Sequence, residues 1–156
     1  MNPRRALETD LPAILRLYGF LHPDDPVLDP HTTAVQVHWH SILSDSRLSY
    51  FVAETEGHIV TTCTLTLIPN LTRNLRPYGV IENVVTDPEH RRKGGATKVL
   101  HYALEEAWRE GCYKVMLSSG SKQEGTLRLY ESAGFQRGVK TGFVVYPPAS
   151  TSANWR

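Results

Sequence analysis

The sequence predicts an α/β protein, a single domain on a mixed sheet with helices on both faces. Three observations carry this prediction. Residues 48–54 and 59–68 are rich in Val, Thr, Ile and aromatics, and Glu56-Gly57 stands between them, the pattern of an antiparallel hairpin. Residues 78–118 read strand, helix, strand, which implies one parallel pair with a right-handed crossover. Two earlier segments repeat apolar side chains at helical spacing and supply cover for the sheet.

The elements follow in chain order. Residues 4–7 are expected to form a short first strand. Thr9 or Asp10 caps a helix with Pro12 in its first turn, and Leu11, Ile14, Leu15, Tyr18 and Leu21 recur along it. Pro23, Pro26 and Pro30, with three aspartates, make residues 22–30 a loop. Asp29-Pro30 opens a second helix as cap and first residue, with Val35, Trp39, Ile42 and Leu43 as its apolar face. After the hairpin, residues 69–77 are a polar loop. Residues 78–86 are a strand stopped by Asp87-Pro88. A helix over about residues 95–110 shows Val99, Leu100, Ala103, Leu104 and Ala107 on one face, and Gly111 ends it. Residues 113–118 are a short apolar strand. Ser121 and Glu124 form a capping box for a helix that ends at Gly134. Residues 135–137 and 141–146 read as two last strands. The domain is expected over residues 1–147, with residues 148–156 a tail.

Composition removes several classes of function. The chain has 156 residues, of which 40% are hydrophobic and 21% charged, enough apolar material for a core. Seventeen Lys and Arg against 16 Asp and Glu leave a net charge of +1, which argues against a general binder of nucleic acid or membrane surfaces. No apolar run approaches the roughly 18 residues of a membrane helix. Residues 1–10 carry no apolar core of secretory type. Cys63 and Cys112 are too few for a disulfide framework, so two reduced thiols and a cytoplasmic location are expected. His38, Trp39 and His40 do not put two ligands on one helix face, and no metal is expected.

The chemistry concentrates after the strand at residues 78–86. That strand feeds a basic, glycine-containing loop that opens a helix. A helix N-terminus presents unpaired N–H groups and partial positive charge, and small residues let an anion approach the backbone. Arg91, Arg92 and Lys93 add cationic side chains, and Gly94, Gly95, Ala96 and Thr97 form the helix start. The physical expectation is a phosphate or pyrophosphate site. The P-loop and dinucleotide glycine patterns are both absent.

What stands there, Arg91-x-x-Gly94-x-Ala96, resembles the [QR]-x-x-G-x-[GA] loop of the GNAT superfamily of acyl-CoA-dependent N-acetyltransferases. Asp87-Pro88 before it, and Leu129-Tyr130-Glu131-Ser132-Ala133-Gly134-Phe135 after it, are also similar to that family's segments. The spacing and element order agree, over about residues 3–147. Residues 69–94 further resemble a bacterial branch of the superfamily. Two positions depart from the family pattern: Gln123 stands where Asn commonly contacts the pantetheine arm, and Thr126 replaces Ala.

The resemblance implies a mixed, mostly antiparallel sheet and an acetyl-CoA-dependent transfer to a primary amine. It places the CoA pyrophosphate on residues 92–97, with Arg91 and Arg92 in reach and the pantetheine arm along Val84 and Val85 as an added strand. Direct transfer in a ternary complex is expected, because neither cysteine lies in this segment. Glu82 is the candidate base that frees the amine lone pair, a carboxylate in an otherwise apolar strand. Its rival roles are a solvent-facing or ion-paired residue, or a binding group for a cationic acceptor. Tyr130 is the candidate acid for the departing thiolate, against the reading of a packed core tyrosine. Trp39 and Tyr18 from the early helices, Arg73 and Arg76 from the loop, and Ser119 are candidates for the acceptor side. A small-molecule amine is the expected partner, and homodimers are common in similar proteins. The competing class is a module of the same fold that binds acyl-CoA without turnover.

Overall fold

The computed structural model describes residues 1–148. Its sheet has five strands in the order β1-β2-β3-β4-β5: β1 Asn2–Arg5, β2 Leu48–Thr55, β3 His58–Ile68, β4 Tyr78–Thr86 and β5 Val115–Leu117. All neighbours are antiparallel except β4 and β5, which run parallel. The helices are α1 Leu11–Leu21, α2 Thr33–Ser44, the single turn α3 Thr72–Leu75, α4 Gly95–Arg109 and α5 Glu124–Ser132. Short 3-10 turns stand at Glu8–Asp10 and Pro88–His90.

The sheet is apolar on both faces, and each face has its own core. On one side Phe51, Ala53, Cys63, Leu65 and Ile81 pack against Val99, Leu100, Ala103 and Ala107 of α4. On the other, Val52, Ile59 and Val85 pack against Leu11, Ile14 and Leu17 of α1 and Trp39 of α2. The alternation of side chains along a strand sends successive residues to the two cores.

Several element ends differ from the sequence expectation, each for a local reason. The first strand begins earlier, at Asn2, where it pairs with Glu54 of β2, and ends at Arg5 ahead of the turn at Glu8–Asp10. Asp10 occupies the cap position of α1, yet its carboxylate reaches backward, taking the Leu7 N–H (2.8 Å) and the Arg4 guanidinium (2.6 and 3.1 Å). Asp29 accepts the His31 N–H at 2.8 Å in a side-chain turn, so α2 starts three residues later than Asp29-Pro30 suggested, with Thr32 as cap. The capping box of Ser121 and Glu124 does not form. Ser121 Oγ accepts the Gln123 N–H at 3.2 Å, and α5 begins at Glu124 with Gln123 as cap.

The largest correction is C-terminal. Residues 135–137 and 141–146 form no strand. Phe143, Val144, Val145 and Tyr146 are exposed. Strand propensity reflects packing on a pleated, half-buried surface, and these residues meet none. Arg137 instead folds back on α5, forking to Glu124 and Glu131. Of the expected tail, only Pro148 lies within the described residues.

Candidate active site

β4 is held along its whole length by β3, from Tyr78 against Ile68 to Thr86 against Thr61. Its opposite edge is different. Pairing with β5 covers Gly79, Val80 and Ile81 against Val115, Met116 and Leu117, and stops there. From Glu82 onward the outer edge of β4 has no strand neighbour among the described residues. Backbone groups on such an edge need a partner from water or a ligand.

A bulge lies where the strands part. The register runs from Thr62 with Val85 to Thr64 with Glu82, so Cys63 is opposed by two residues, Asn83 and Val84. Asn83 has φ 55°, in the left-handed region. Asparagine tolerates that region better than most residues. The extra residue resets the alternation: Ile81 and Val84 both pack on the α4 side, whereas Val85 packs with α1. Glu82, adjacent to Ile81, points away from the α4 core and is exposed. The Thr64 hydroxyl donates to the Glu82 carbonyl at 3.1 Å and fixes the backbone beneath it.

Beyond Thr86 the chain enters the basic loop. Asp87 still donates its N–H to the Val60 carbonyl (2.8 Å), and its carboxylate accepts the Glu89 N–H (3.0 Å). Arg91, Arg92, Lys93 and Gly94 are exposed, and the Arg91 Nε donates to the Thr86 carbonyl at 3.3 Å. The two glycines do different things. Gly94 caps α4 with φ 82°, and a Cβ there would meet nothing within 4 Å. Its requirement is conformational, and the space beside it is open. Gly95 is buried, and a Cβ there would stand 2.7 Å from Met1 Sδ and 3.1 Å from Thr61 Cγ2. That glycine lets the helix start pack on the sheet. Ala96 and Thr97 complete the first turn, whose N–H groups face outward from the helix end.

Tyr130 comes from α5 and packs at the edge of the α4-side core, with Phe135 edge-to-face at 6.4 Å. Burial raises its phenol above the ordinary value; Ser119 is a polar neighbour that pulls it down, and the Glu82 carboxylate pushes it up. Glu82, Tyr130 and Ser119 are thereby brought into one neighbourhood although they lie on β4, α5 and the loop after β5. A phenol held above its usual value stays protonated at neutral pH and can donate.

The remaining sequence candidates divide. Trp39 is 4% exposed, donates its indole N–H to the Glu8 carbonyl (3.1 Å) and packs edge-to-face on Tyr50 at 5.1 Å, so it is a core residue. Arg76 donates to the carbonyls of Gly111 (3.0 Å) and Cys112 (2.9 Å) and ties the loop to the end of α4. Arg73 lies over the Tyr113 ring at 5.8 Å. These contacts hold both arginine side chains at the Tyr113 and Gly111–Cys112 side of the loop. Asn83 of the bulge and Tyr50 of β2 are not among the sequence candidates, whereas Tyr18 is. The Tyr18 hydroxyl is buried and makes no hydrogen bond of good geometry, with Tyr50 and Asn83 as its polar neighbours. An asparagine inside a β-branched run was the available signal for the bulge. Tyr50 gave none, since an aromatic in a strand reads as packing. Among the described residues no cluster of His, Cys, Asp and Glu is arranged to hold a metal, and no helix is long and apolar enough to cross a membrane.

Comparison with known proteins places the chain in a family. The chain is 32% identical over 135 residues to a glucosamine 6-phosphate N-acetyltransferase of Trypanosoma brucei brucei, covering 83% of this chain and 84% of that protein. A putative acetyltransferase from Agrobacterium tumefaciens superposes with a TM-score of 0.88 at 41% identity, covering 94% of this chain and 100% of the other. The glucosamine-6-phosphate N-acetyltransferase of Arabidopsis thaliana shares the fold, with a TM-score of 0.78 at 24% identity over 94% of this chain and 98% of that one. The profile of the acetyltransferase (GNAT) family matches residues 12–135. This chain belongs to the GNAT acetyltransferase family and is an acyltransferase.

Proposed function

We propose that the protein transfers an acetyl group from acetyl-CoA to the primary amine of a small-molecule acceptor, by direct attack in a ternary complex. One observation carries the reading: the outer edge of β4 opens after Ile81 and runs without a break into a basic loop at a helix N-terminus. That layout suits a ligand with an extendable amide-bearing arm and a pyrophosphate. The arm would pair with Val84 and Val85 as an added strand. Backbone N–H groups of residues 92–97 would take the pyrophosphate, with Arg91, Arg92 and Lys93 around it. A backbone N–H near Val84 would stabilise the oxyanion of the tetrahedral intermediate.

The reaction balances as follows. Glu82, directly or through a water, accepts a proton from the ammonium. The amine lone pair attacks the thioester carbonyl, and a C–N bond forms. The C–S bond breaks, and Tyr130 donates its proton to the thiolate. The second proton of the attacking nitrogen, acidic once the C–N bond has formed, passes to the resulting phenolate. This leaves amide, free CoA thiol and a protonated Glu82 that returns its proton to solvent. Ser119 orients the phenol. Both described cysteines are buried, and burial raises the Cys63 thiol, which keeps it from serving as a nucleophile. Reduced thiols fit a cytoplasmic protein.

The activity of the trypanosomal relative makes amino sugars and their phosphates the first acceptors to try. The test is release of free CoA thiol from acetyl-CoA with amino sugars, amino sugar phosphates, polyamines, amino acids, aminoglycosides and peptides. Turnover with a small amine is the expected result. Tight acetyl-CoA binding without transfer to any of these would replace this reading with an acyl-CoA-binding module.

A further inference from the structure

The loop that is proposed to hold the pyrophosphate has little support of its own. Glu89, Arg91, Arg92, Lys93 and Gly94 are all exposed. The loop is fixed at its two ends, by Gly95 packed on Met1 and Thr61, and by Asp87 at the end of β4. The Asp87 anchor is made by a residue far away in sequence. Arg16 of α1 donates from one guanidinium nitrogen to Asp87 Oδ2 (2.5 Å) and from the other to the Ile59 carbonyl (2.8 Å). One side chain thus joins α1, the start of β3 and the exit of β4.

The Asp87 carboxylate is mostly buried, and its other oxygen accepts the Glu89 N–H. That bond shapes the turn Pro88–His90, which aims the chain into the loop. His90 Nδ1 lies 3.7 Å from Asp87 Oδ1, a longer contact than the Arg16 pair, and Arg16 is the leading partner of the carboxylate. From this geometry we infer that Arg16 is a positioning residue for the acetyl-CoA pyrophosphate: it never touches the ligand, and it sets the angle at which the loop leaves the sheet. The inference rests on the acetyl-CoA reading above.

Arginine is required because two acceptors are met by one planar fork. Lysine can reach Asp87 but cannot hold both acceptors in that geometry. The test compares Arg16→Ala, Arg16→Lys and a control, Arg4→Ala, which removes the Arg4–Asp10 pair away from the loop. Calorimetry gives Kd for acetyl-CoA, and steady-state kinetics separates KM from kcat. Arg16→Ala is expected to raise Kd roughly tenfold to hundredfold, the scale of a small misplacement of binding groups. Saturating acetyl-CoA should restore kcat to within about twofold, because the reacting groups are untouched. Arg16→Lys should recover part of the affinity. Arg4→Ala should lower the melting temperature and leave Kd unchanged. Equal Kd in parent and both Arg16 variants overturns the inference, as does an equal rise in Arg4→Ala, which would mark general loosening. A folded parent with no affinity for acetyl-CoA would overturn the underlying reading and this one with it, and is recognised because the parent itself fails.

Discussion

The two edges of β4 are built in opposite ways. The inner edge is paired with β3 from end to end, and buried threonines reinforce it: Thr61 donates to the Val85 carbonyl at 2.8 Å and Thr64 to the Glu82 carbonyl at 3.1 Å. The outer edge is paired for three residues and then left open. A strand clamped on one side can offer backbone donors and acceptors on the other without fraying. The bulge at Asn83 falls at this transition and hands Glu82 and Val84 to different faces. Changes on the open side should therefore alter kinetics with little effect on stability, and changes on the closed side the reverse.

The largest expected effect is on the open side, at Tyr130. Tyr130→Phe keeps the ring against Phe135 and removes one hydroxyl. Turnover should fall on the order of 10²- to 10⁴-fold, the range for a positioned acid. The melting temperature and acetyl-CoA Kd should hold. If stability falls while turnover survives, Tyr130 belongs to the core and the contrast between the edges is weakened.

Glu82→Gln should come next, with a loss on the order of 10²-fold near pH 7. The deficit should shrink as the pH rises toward the amine's own pKa, near ~10 by analogy with lysine, where solvent already supplies the neutral amine. A raised KM at every lower pH, with kcat at saturation kept, would instead make Glu82 a binding group for a cationic acceptor. Kinetics from pH 6 to pH 10 with one amine separates the two.

The same contrast explains what could be read from the residues alone. The bounds of β4 and the start of α4 were legible because Asp87-Pro88 stops the strand and Gly94-Gly95 opens the helix. The hairpin was legible from Glu56-Gly57, whose φ values of 52° and 76° match a tight turn. These are local signals. The parting of β4 from β5 is not local: it depends on β5 ending at Leu117, and nothing in residues 82–85 records it. The failed strands at residues 135–137 and 141–146 show the converse error, local propensity without a neighbour to pair with. Trp39 was legible as part of an apolar helix face, but that face alone did not say whether it lined a pocket or, as its 4% exposure shows, filled the core. Arg16 carries no local signal, since its two acceptors are 43 and 71 positions away.

The adjacent glycines give a third test, smaller than the first two. Gly95→Ala pushes a methyl into Met1 and Thr61 on the closed side, and should lower stability by about 1–3 kcal/mol, the scale of overpacking. Its acetyl-CoA affinity, measured on the folded fraction, should fall less than that of Gly94→Ala, because the helix start shifts while the loop residues keep their conformation. Gly94→Ala meets open space but forces alanine to φ 82°, a strain of roughly 1–2 kcal/mol. Here acetyl-CoA affinity should fall, because the strained residue lies in the loop. Thermal melts and calorimetry on both variants check the pairing of effects. Identical profiles would mean that the two glycines are not divided between packing and binding.

The smallest expected effect is a pH dependence of stability on the closed side. Asp10 and Asp87 both lie below the ordinary carboxylate range. For Asp10, burial works against ionisation and is outweighed by the Arg4 hydrogen bonds and the Leu7 N–H. For Asp87, the Arg16 hydrogen bond is the leading cause. A carboxylate whose folded value is depressed binds its proton more weakly in the native state than in the unfolded chain. Its stabilisation is therefore complete above the unfolded value, near ~3.9, and is lost as the pH falls through the folded value. The melting temperature should stay flat from neutral pH to about pH 5 and decline below pH 4. Asp10→Asn should shallow that decline, and it should lower the neutral-pH melting temperature by about 2–5 °C through loss of charged hydrogen bonds. It should leave acetyl-CoA KM unchanged, since Asp10 touches Arg4 and Leu7 and not the loop. An acid limb of unchanged slope in Asp10→Asn would show that the Arg4 pair contributes nothing to acid stability and that Asp87, with its Arg16 anchor, carries the dependence.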